Sequence, residues 1–190
     1  DRYFPRIPHW FPLQGGGESL LHGYPIFPHL LLVVVRRLSG LSILQAFRLI
    51  SFLGFPLTAL GVYLFGWTSQ KSQTQGLIAA VLFLLAPVTW TWAYDWGFFS
   101  QQVAMIFLPL ALLAFVLTMR GQLARPKKSN RRLWLAALIA LTALASISHM
   151  MIGAAVAAGA SLYVVAATAM APRGSRKVIL REGAKTILLL

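Results

Sequence analysis

Residues 133–171 form a run of 39 residues without a formal charge, with basic clusters on both sides. A transmembrane helix needs about 20 apolar residues, so this run is too long for a single crossing. We expect it to cross the membrane and return, with a turn at Ser146-Ile147-Ser148-His149. Hydrophobic residues make up 58% of the chain and charged residues 11%. This composition indicates an integral membrane protein rather than a soluble domain.

Five apolar segments meet or approach the length of a span, and none alternates with the period of two that a membrane β-barrel requires. They are 49–66 with an entry from Ile43, 76–93, 97–119, 133–148 and 150–171. The sequence therefore predicts an all-α, polytopic transmembrane helical bundle. We assign 1–42 to an extracytoplasmic loop with an interfacial helix, and 43–190 to a transmembrane domain of five spans plus the start of a sixth. We expect the sequence to be truncated at both ends.

Basic residues predict the orientation, because Lys and Arg concentrate in cytoplasmic loops. Seventeen Lys and Arg and four acidic residues give a formal net charge of +13. Most of the basic residues lie in the loops 120–132 and 172–185, which we predict to be cytoplasmic. The loop 1–42, Asp95 and His149 then share the extracytoplasmic side. Because the basic clusters alternate with apolar runs, we expect membrane lipids as partners and no nucleic acid.

The stretch 25–38 has eleven residues before the pair Arg36-Arg37, which is too short for a span. We interpret it as an interfacial helix on the outer face. The alternative is a true span that ends with both arginines inside. That alternative would reverse every later crossing and place both basic clusters outside.

Asp95 is the only carboxylate between Glu18 and Glu182, and it lies in a short break between two apolar runs. An acidic side chain at a membrane boundary costs free energy, so Asp95 is a candidate functional residue. The alternative is a solvated loop acid beside interfacial aromatic residues. The chain has no cysteine, which excludes a disulfide framework, a thiolate nucleophile and a Cys-ligated metal.

Several arginines are candidates for phosphate binding, because a guanidinium group pairs with two phosphate oxygens at once. Arg6 lies in the first loop, and Arg48 begins a span, where we expect packing to hold it in place. Arg36 and Arg37 fit contacts with lipid headgroups equally well. His149 lies on the side that permits a site role, although capping or packing at a turn is the more frequent role of such a residue.

The first loop carries three elements that resemble a known family. They are Phe4-Pro5-Arg6-Ile7-Pro8-His9-Trp10, the glycine run 15–17, and Gly23-Tyr24-Pro25-Ile26-Phe27-Pro28. In this order they resemble the first outer loop of polytopic membrane glycosyltransferases of the GT-C superfamily. The closest resemblance is to a bacterial membrane-protein family named as related to 6-pyruvoyl-tetrahydropterin synthase. Downstream, Tyr94-Asp95 and Ser148-His149 resemble later elements of such enzymes.

The resemblance implies a GT-C-like bundle in the bacterial cytoplasmic (inner) membrane, part of the cell envelope. It implies transfer of a sugar from a polyprenyl-phosphate-linked donor to an acceptor at the extracytoplasmic face. The implied substrate-binding residues are Asp95, Tyr94, Arg6, Arg48, Tyr24 and His149. The catalytic acid of the superfamily lies in the first outer loop, and we expect it upstream of this sequence.

The resemblance leaves the cofactor open. In metal-dependent members the tyrosine-aspartate element helps to bind a divalent cation, together with a second acid two residues later. Gly97 occupies that second position here, and one carboxylate is a poor site for Mg²⁺ or Mn²⁺. His9, His22 and His29 do not have a convincing metal-ligand spacing. We therefore assign no metal site, while a divalent cation is left open.

Two other classes of function are left open. One is a transporter or flippase of a lipid-linked intermediate, and the other is a non-catalytic membrane scaffold. Transporters place polar groups near the middle of the membrane, whereas here the spans are nearly free of ionisable side chains. The scaffold applies if the full protein lacks the acid in its first loop.

Overall fold

The computed structural model describes residues 25–87, 90–91, 99–123 and 128–190. Within these ranges the chain is α-helical and contains no strand, which confirms the predicted all-α class. Seven α-helices lie within them: α1 Ile26–Ser39, α2 Ile43–Gln70, α3 Gln73–Leu85, α4 Phe99–Leu123, α5 Lys128–Ser148, α6 Met150–Met170 and α7 Arg176–Ile187. A short 3₁₀ turn, Arg173–Ser175, precedes α7.

Four of the described helices are long and apolar enough to cross a membrane, which agrees with a multi-pass membrane protein. They are α2, Phe99–Arg120 of α4, Arg131–Ser148 of α5, and α6. The predicted span 76–93 corresponds to α3, whose 13 residues end at Leu85. Beyond α3, the Trp90 ring stacks on Phe55 of α2 at a centroid distance of 4.4 Å. The later part of this predicted span lies largely outside the described residues.

The residues 183–190, which the sequence assigns to the start of a sixth span, begin inside α7. This helix is amphipathic: Ile179, Gly183 and Thr186 are buried, while its charged side chains are mostly exposed. The sixth span therefore stays a prediction.

Helix α1 is the helix that the sequence predicts over 25–38. It has 14 residues and ends at Gly40, whose φ of 71° is the left-handed conformation that glycine adopts without strain. The chain then turns into α2, where Ser42 and Gln45 form a reciprocal capping box with hydrogen bonds of 3.3 and 2.9 Å. The position of α1 relative to a membrane stays a prediction.

Helices α2 and α4 run in the same direction. Near their starts, Gln102 Nε2 donates a hydrogen bond of 2.7 Å to the Ser51 carbonyl. Near their ends, Arg120 Nη2 donates one of 3.2 Å to the Ser69 carbonyl. Both bonds join residues 51 positions apart. This constant offset fixes a parallel register between the two helices.

Helix α4 is the centre of the bundle. Half of its apolar window is buried, against 22–28% for the other three candidate spans. Ala104, Ala111 and Ala114 are almost completely buried, because small side chains let neighbouring helices approach closely. Helix α6 runs parallel to α4, because Gly159 lies against Leu112 and, one turn later in both helices, the Tyr163 ring lies 6.0 Å from the Phe115 ring. Helix α5 lies against both of them.

The bundle therefore has two distinct ends. At the α1 end, Leu32 of α1 packs in one cluster with Ala46 of α2 and Phe99 of α4, and α1 also contacts α5. The turn between α5 and α6 lies at this end, because α6 is parallel to α4. The opposite end, which we call the basic end, holds the last turns of α2, α4 and α6 together with α7. Its described basic side chains are Lys71, Arg120, Arg131, Arg132, Arg173, Arg176, Lys177, Arg181 and Lys185.

Candidate functional site

The structure describes two of the six predicted substrate-binding residues, Arg48 and His149. The other four, Asp95, Tyr94, Arg6 and Tyr24, lie outside the described residues. Arg48 and His149 both lie towards the α1 end, on α2 and at the turn between α5 and α6. The site assignment stays a prediction.

Arg48 is exposed, so the expectation that packing holds it in place is wrong. The buried side of α2 is formed at this point by Ala46 and Ile50. A residue two positions from each of them lies on the opposite side of a helix with 3.6 residues per turn. Leu44 and Phe52, one turn before and one turn after Arg48, are exposed as well. Arg48 thus projects from an apolar face that no described helix covers.

His149 is the N-cap residue of α6, and its backbone makes the turn. Its N–H donates to the Ala145 carbonyl at 2.8 Å, and its carbonyl accepts from Ile152 at 2.9 Å and from Gly153 at 3.2 Å. The side chain makes no capping hydrogen bond. Its Nδ1 atom is buried and has no hydrogen-bond partner in the described part of the chain. A buried polar atom without a partner costs about 1–3 kcal/mol, so this imidazole is available for a further contact.

The structure adds His29 to the candidates at the α1 end. In the sequence His29 is a candidate only for metal binding, whereas in the structure it is half-buried on α1 with its ring 5.9 Å from the Phe99 ring. Burial lowers the pKa of His29, which favours the neutral imidazole. A neutral imidazole is able to accept a proton. The sequence could have indicated this packing, because His29 and Leu32 are three residues apart and therefore lie on the same face of a helix.

Gln102 is a second polar residue whose position in the structure was not predicted from the sequence. Pro56 has no N–H to donate to the carbonyl one turn earlier in α2, and the Gln102 amide bonds the Ser51 carbonyl next to that break. A Cβ at Gly54 would lie 3.4 Å from Gln102 Cγ, which is ordinary contact. The Ser51 carbonyl is adjacent to that of Phe52, which is the one that Pro56 leaves without its helical partner, so the bond supports α2 beside the proline.

A comparison with models of known protein families identifies the family of this chain. The model of the family described as 6-pyruvoyl-tetrahydropterin synthase related domain, membrane protein, matches residues 21–180. The chain belongs to this family. The match confirms the family that the sequence resemblance named. No curated protein and no solved structure matches the chain.

In this 6-pyruvoyl-tetrahydropterin-synthase-related membrane protein, no described residues form a group of three or more His, Asp or Glu that could hold a metal ion. The first loop and Asp95 lie outside the residues to which this finding applies. Whether the protein binds a divalent cation therefore stays open.

Arg36 and Arg37 lie in the last turn of α1, where positive charge complements the partial negative charge of a helix C-terminus.

Proposed function

We propose that this chain is part of a GT-C-type glycosyltransferase of the bacterial inner membrane. It transfers a sugar from a polyprenyl-phosphate-linked donor to an acceptor at the extracytoplasmic face. The observation that carries the proposal is that elements leading to or from the predicted site residues meet at the α1 end. Helix α1 follows Tyr24, α2 begins shortly before Arg48, α4 begins four residues after Asp95, and His149 opens α6.

The exposed stripe on α2 supports a lipid-linked donor. Leu44, Arg48 and Phe52 are four residues apart, so they follow one face of the helix. The apolar side chains of this face suit a polyprenyl chain, and the guanidinium group suits the phosphate at the membrane surface. A donor that approaches laterally from the bilayer meets both features together.

The transfer breaks the bond between the anomeric carbon and the donor phosphate oxygen, and it forms a bond from that carbon to the acceptor oxygen. The acceptor hydroxyl loses its proton to a base, and the leaving phosphate keeps the electron pair of the broken bond. In the proposed reaction the base is a carboxylate of the first outer loop. Asp95, Tyr94, Tyr24 and His149 contact the sugar and acceptor, while Arg6 and Arg48 bind the phosphate.

The distribution of charge supports the orientation. The described basic side chains of 120–132 and 172–185 lie at the end opposite α1. Positive loops tend to face the cytoplasm in multi-pass membrane proteins, so this distribution supports an orientation with the α1 end outside. In this orientation the proposed reaction takes place away from the cytoplasm.

The experiment that tests this function is sugar transfer in membranes that contain the full-length protein and a lipid-linked donor. We expect Asp95→Asn to lower transfer about tenfold to a hundredfold, the range for losing a hydrogen bond to a charged group. Glu182→Gln is the matched control, because it makes the same acid-to-amide change at the basic end. We expect this variant to leave sugar transfer unchanged. Equal transfer by Asp95→Asn at a normal protein level would remove Asp95 from the site. A wild-type protein that consumes no lipid-linked donor would refute the proposed reaction.

A further inference from the structure

A cavity of about 470 Å³ lies at the basic end, between α2, α3 and α6. Its volume falls in the range of about 300–1,000 Å³ that is typical of small-molecule sites. The wall is mainly apolar and includes Phe65 of α2, Ala79 of α3, and Ala166 and Met170 of α6. The cavity lies at the opposite end of the bundle from the proposed donor site, so a molecule bound in it is distinct from the donor.

The end of the cavity near the helix termini is polar. Ser69, Gln70 and Gln75 line it. The Ser69 hydroxyl oxygen is buried and has no hydrogen-bond partner within the described ranges. A buried hydroxyl without a partner is costly, so an occupant with an acceptor oxygen would stabilise this side of the cavity.

Two arginines donate hydrogen bonds to backbone carbonyls of residues that line the cavity or adjoin a lining residue in sequence. Arg120 donates to the carbonyl of Ser69, which lines the cavity from α2. Arg176 donates from Nε to the Ala171 carbonyl at 3.0 Å and from Nη2 to the Ala169 carbonyl at 3.3 Å. Ala169 and Ala171 flank Met170, which lines the cavity from α6. A guanidinium group has five N–H donors, so these bonds fix each group in place and leave donors for an anion.

From this combination we infer that the cavity binds one anionic phospholipid of the leaflet at the basic end. An acyl chain lies along Phe65, Ala79 and Ala166, and the headgroup phosphate is bound by Arg120 and Arg176. The charges of the protein and the ligand are complementary, because guanidinium groups bind phosphate oxygens strongly. Lipid tails also fill apolar space between membrane helices without desolvating a polar group. This site is independent of the proposed transferase reaction.

The binding test uses the purified, delipidated full chain in neutral detergent, titrated with phosphatidylglycerol or with phosphatidylcholine that has the same acyl chains. Native mass spectrometry reports how many lipids each protein molecule retains. We expect one phosphatidylglycerol to be retained in preference to phosphatidylcholine. Arg120→Gln and Arg176→Gln should each weaken this binding about fivefold, which corresponds to about 1 kcal/mol for each basic residue near an anionic headgroup.

Two further variants separate a built site from general charge attraction. Arg181→Gln is the matched control for Arg176→Gln. Both arginines are exposed on α7, but Arg181 pairs with Glu182 at 3.1 Å, whereas Arg176 bonds the α6 carbonyls next to the cavity. Arg181→Gln should therefore change binding by less than about twofold, as expected for a surface charge that does not contact the ligand. Ala166→Phe fills the apolar wall without changing a charge, and it should reduce retention of both lipids. This variant also keeps the bond from Arg120 to Ser69, so it tests the site even if Arg120→Gln fails to fold.

Four outcomes would overturn the inference. They are equal retention of the two lipids, equal weakening by Arg181→Gln and Arg176→Gln, unchanged binding in Ala166→Phe, and a concentration-dependent dimer that Ala166→Phe abolishes. The last outcome would assign the cavity to a second copy of the chain. None of these measurements uses sugar transfer, so the lipid site and the proposed function fail separately.

Discussion

Gly76→Ala is expected to loosen the hairpin formed by α2 and α3. A Cβ at position 76 would lie 2.7 Å from the Tyr63 carbonyl oxygen and 2.8 Å from the Trp67 backbone nitrogen. Both atoms belong to the backbone of α2, so neither is able to rotate away as a side chain would. The clash is relieved only if α3 moves away from α2, which also loosens the packing of the buried residue Ala80.

The size of the effect follows from two opposing terms. Forcing an extra methyl group into a packed contact costs about 1–3 kcal/mol, and backbone clashes belong at the upper end of that range. Replacing glycine by alanine inside a helix returns up to about 1 kcal/mol. We therefore expect Gly76→Ala to lower the free energy of unfolding by about 2 kcal/mol. For a chain of this length, that corresponds to a fall in Tm of about 4–8 °C.

Thermal unfolding of the purified protein in detergent, followed by circular dichroism, measures the effect. Gly174→Ala is the matched control, because a Cβ there has no heavy atom within 4 Å. Its stability should stay within about 0.5 kcal/mol of the wild type, as for most surface substitutions. If Gly76→Ala melts at the wild-type temperature, α2 and α3 do not approach each other as closely as the structure describes.

Three other changes test single features. Gln102→Leu removes the hydrogen bond to the Ser51 carbonyl and should lower the free energy of unfolding by about 1 kcal/mol, measured by the same thermal assay. Unchanged stability would show that the bond contributes nothing. Arg48→Gln should raise the KM for the lipid-linked donor without changing Tm. The reason is that Arg48 is exposed and has no hydrogen bond or ion pair among the described residues. A fall in Tm with an unchanged KM would contradict this. Burial lowers the pKa of His29 in the folded chain, so its contribution to stability is present above the usual pKa of histidine and is lost as pH falls from that value through the lowered pKa of the folded state. His29→Phe should therefore reduce the loss of Tm between about pH 7 and pH 5, and an identical loss in both proteins would refute that role.

The lengths of the helices were largely predictable from the sequence. The predicted span 150–171 corresponds to α6, Met150–Met170, and the predicted span 133–148 to the apolar window Arg131–Ser148. Basic residues fix the start of the apolar window of α5 and the end of α6, because a charge inside the hydrocarbon region is costly. The turn at His149 lies inside an uncharged run, and its position follows from the length that a span requires.

The packing of the helices was not predictable in the same way. The first two turns of α2 are apolar around most of their circumference, so hydrophobicity does not distinguish the side facing α4 from the side facing lipid. The position of Arg48 was wrongly predicted for this reason. The face of α2 is decided instead by small residues: a Cβ at Gly61 would lie 2.7 Å from Pro109 Cγ. Only the three-dimensional pairing reveals which glycines serve as contacts.

The pairing of α2 with α4 also determines how the candidate site is held. Gly54 lies opposite Gln102 and Gly61 lies opposite Pro109, so the two helices fit together in one register. The hydrogen bonds from Gln102 and Arg120 to α2 carbonyls hold that register near both ends. A slip by one residue would break both bonds and bring Pro109 out of line with Gly61. The start of α2, which carries Arg48, and the start of α4, which follows Asp95, therefore keep a fixed axial offset. A site built from loops at the α1 end needs such a frame, because loops alone position side chains less precisely than packed helices do.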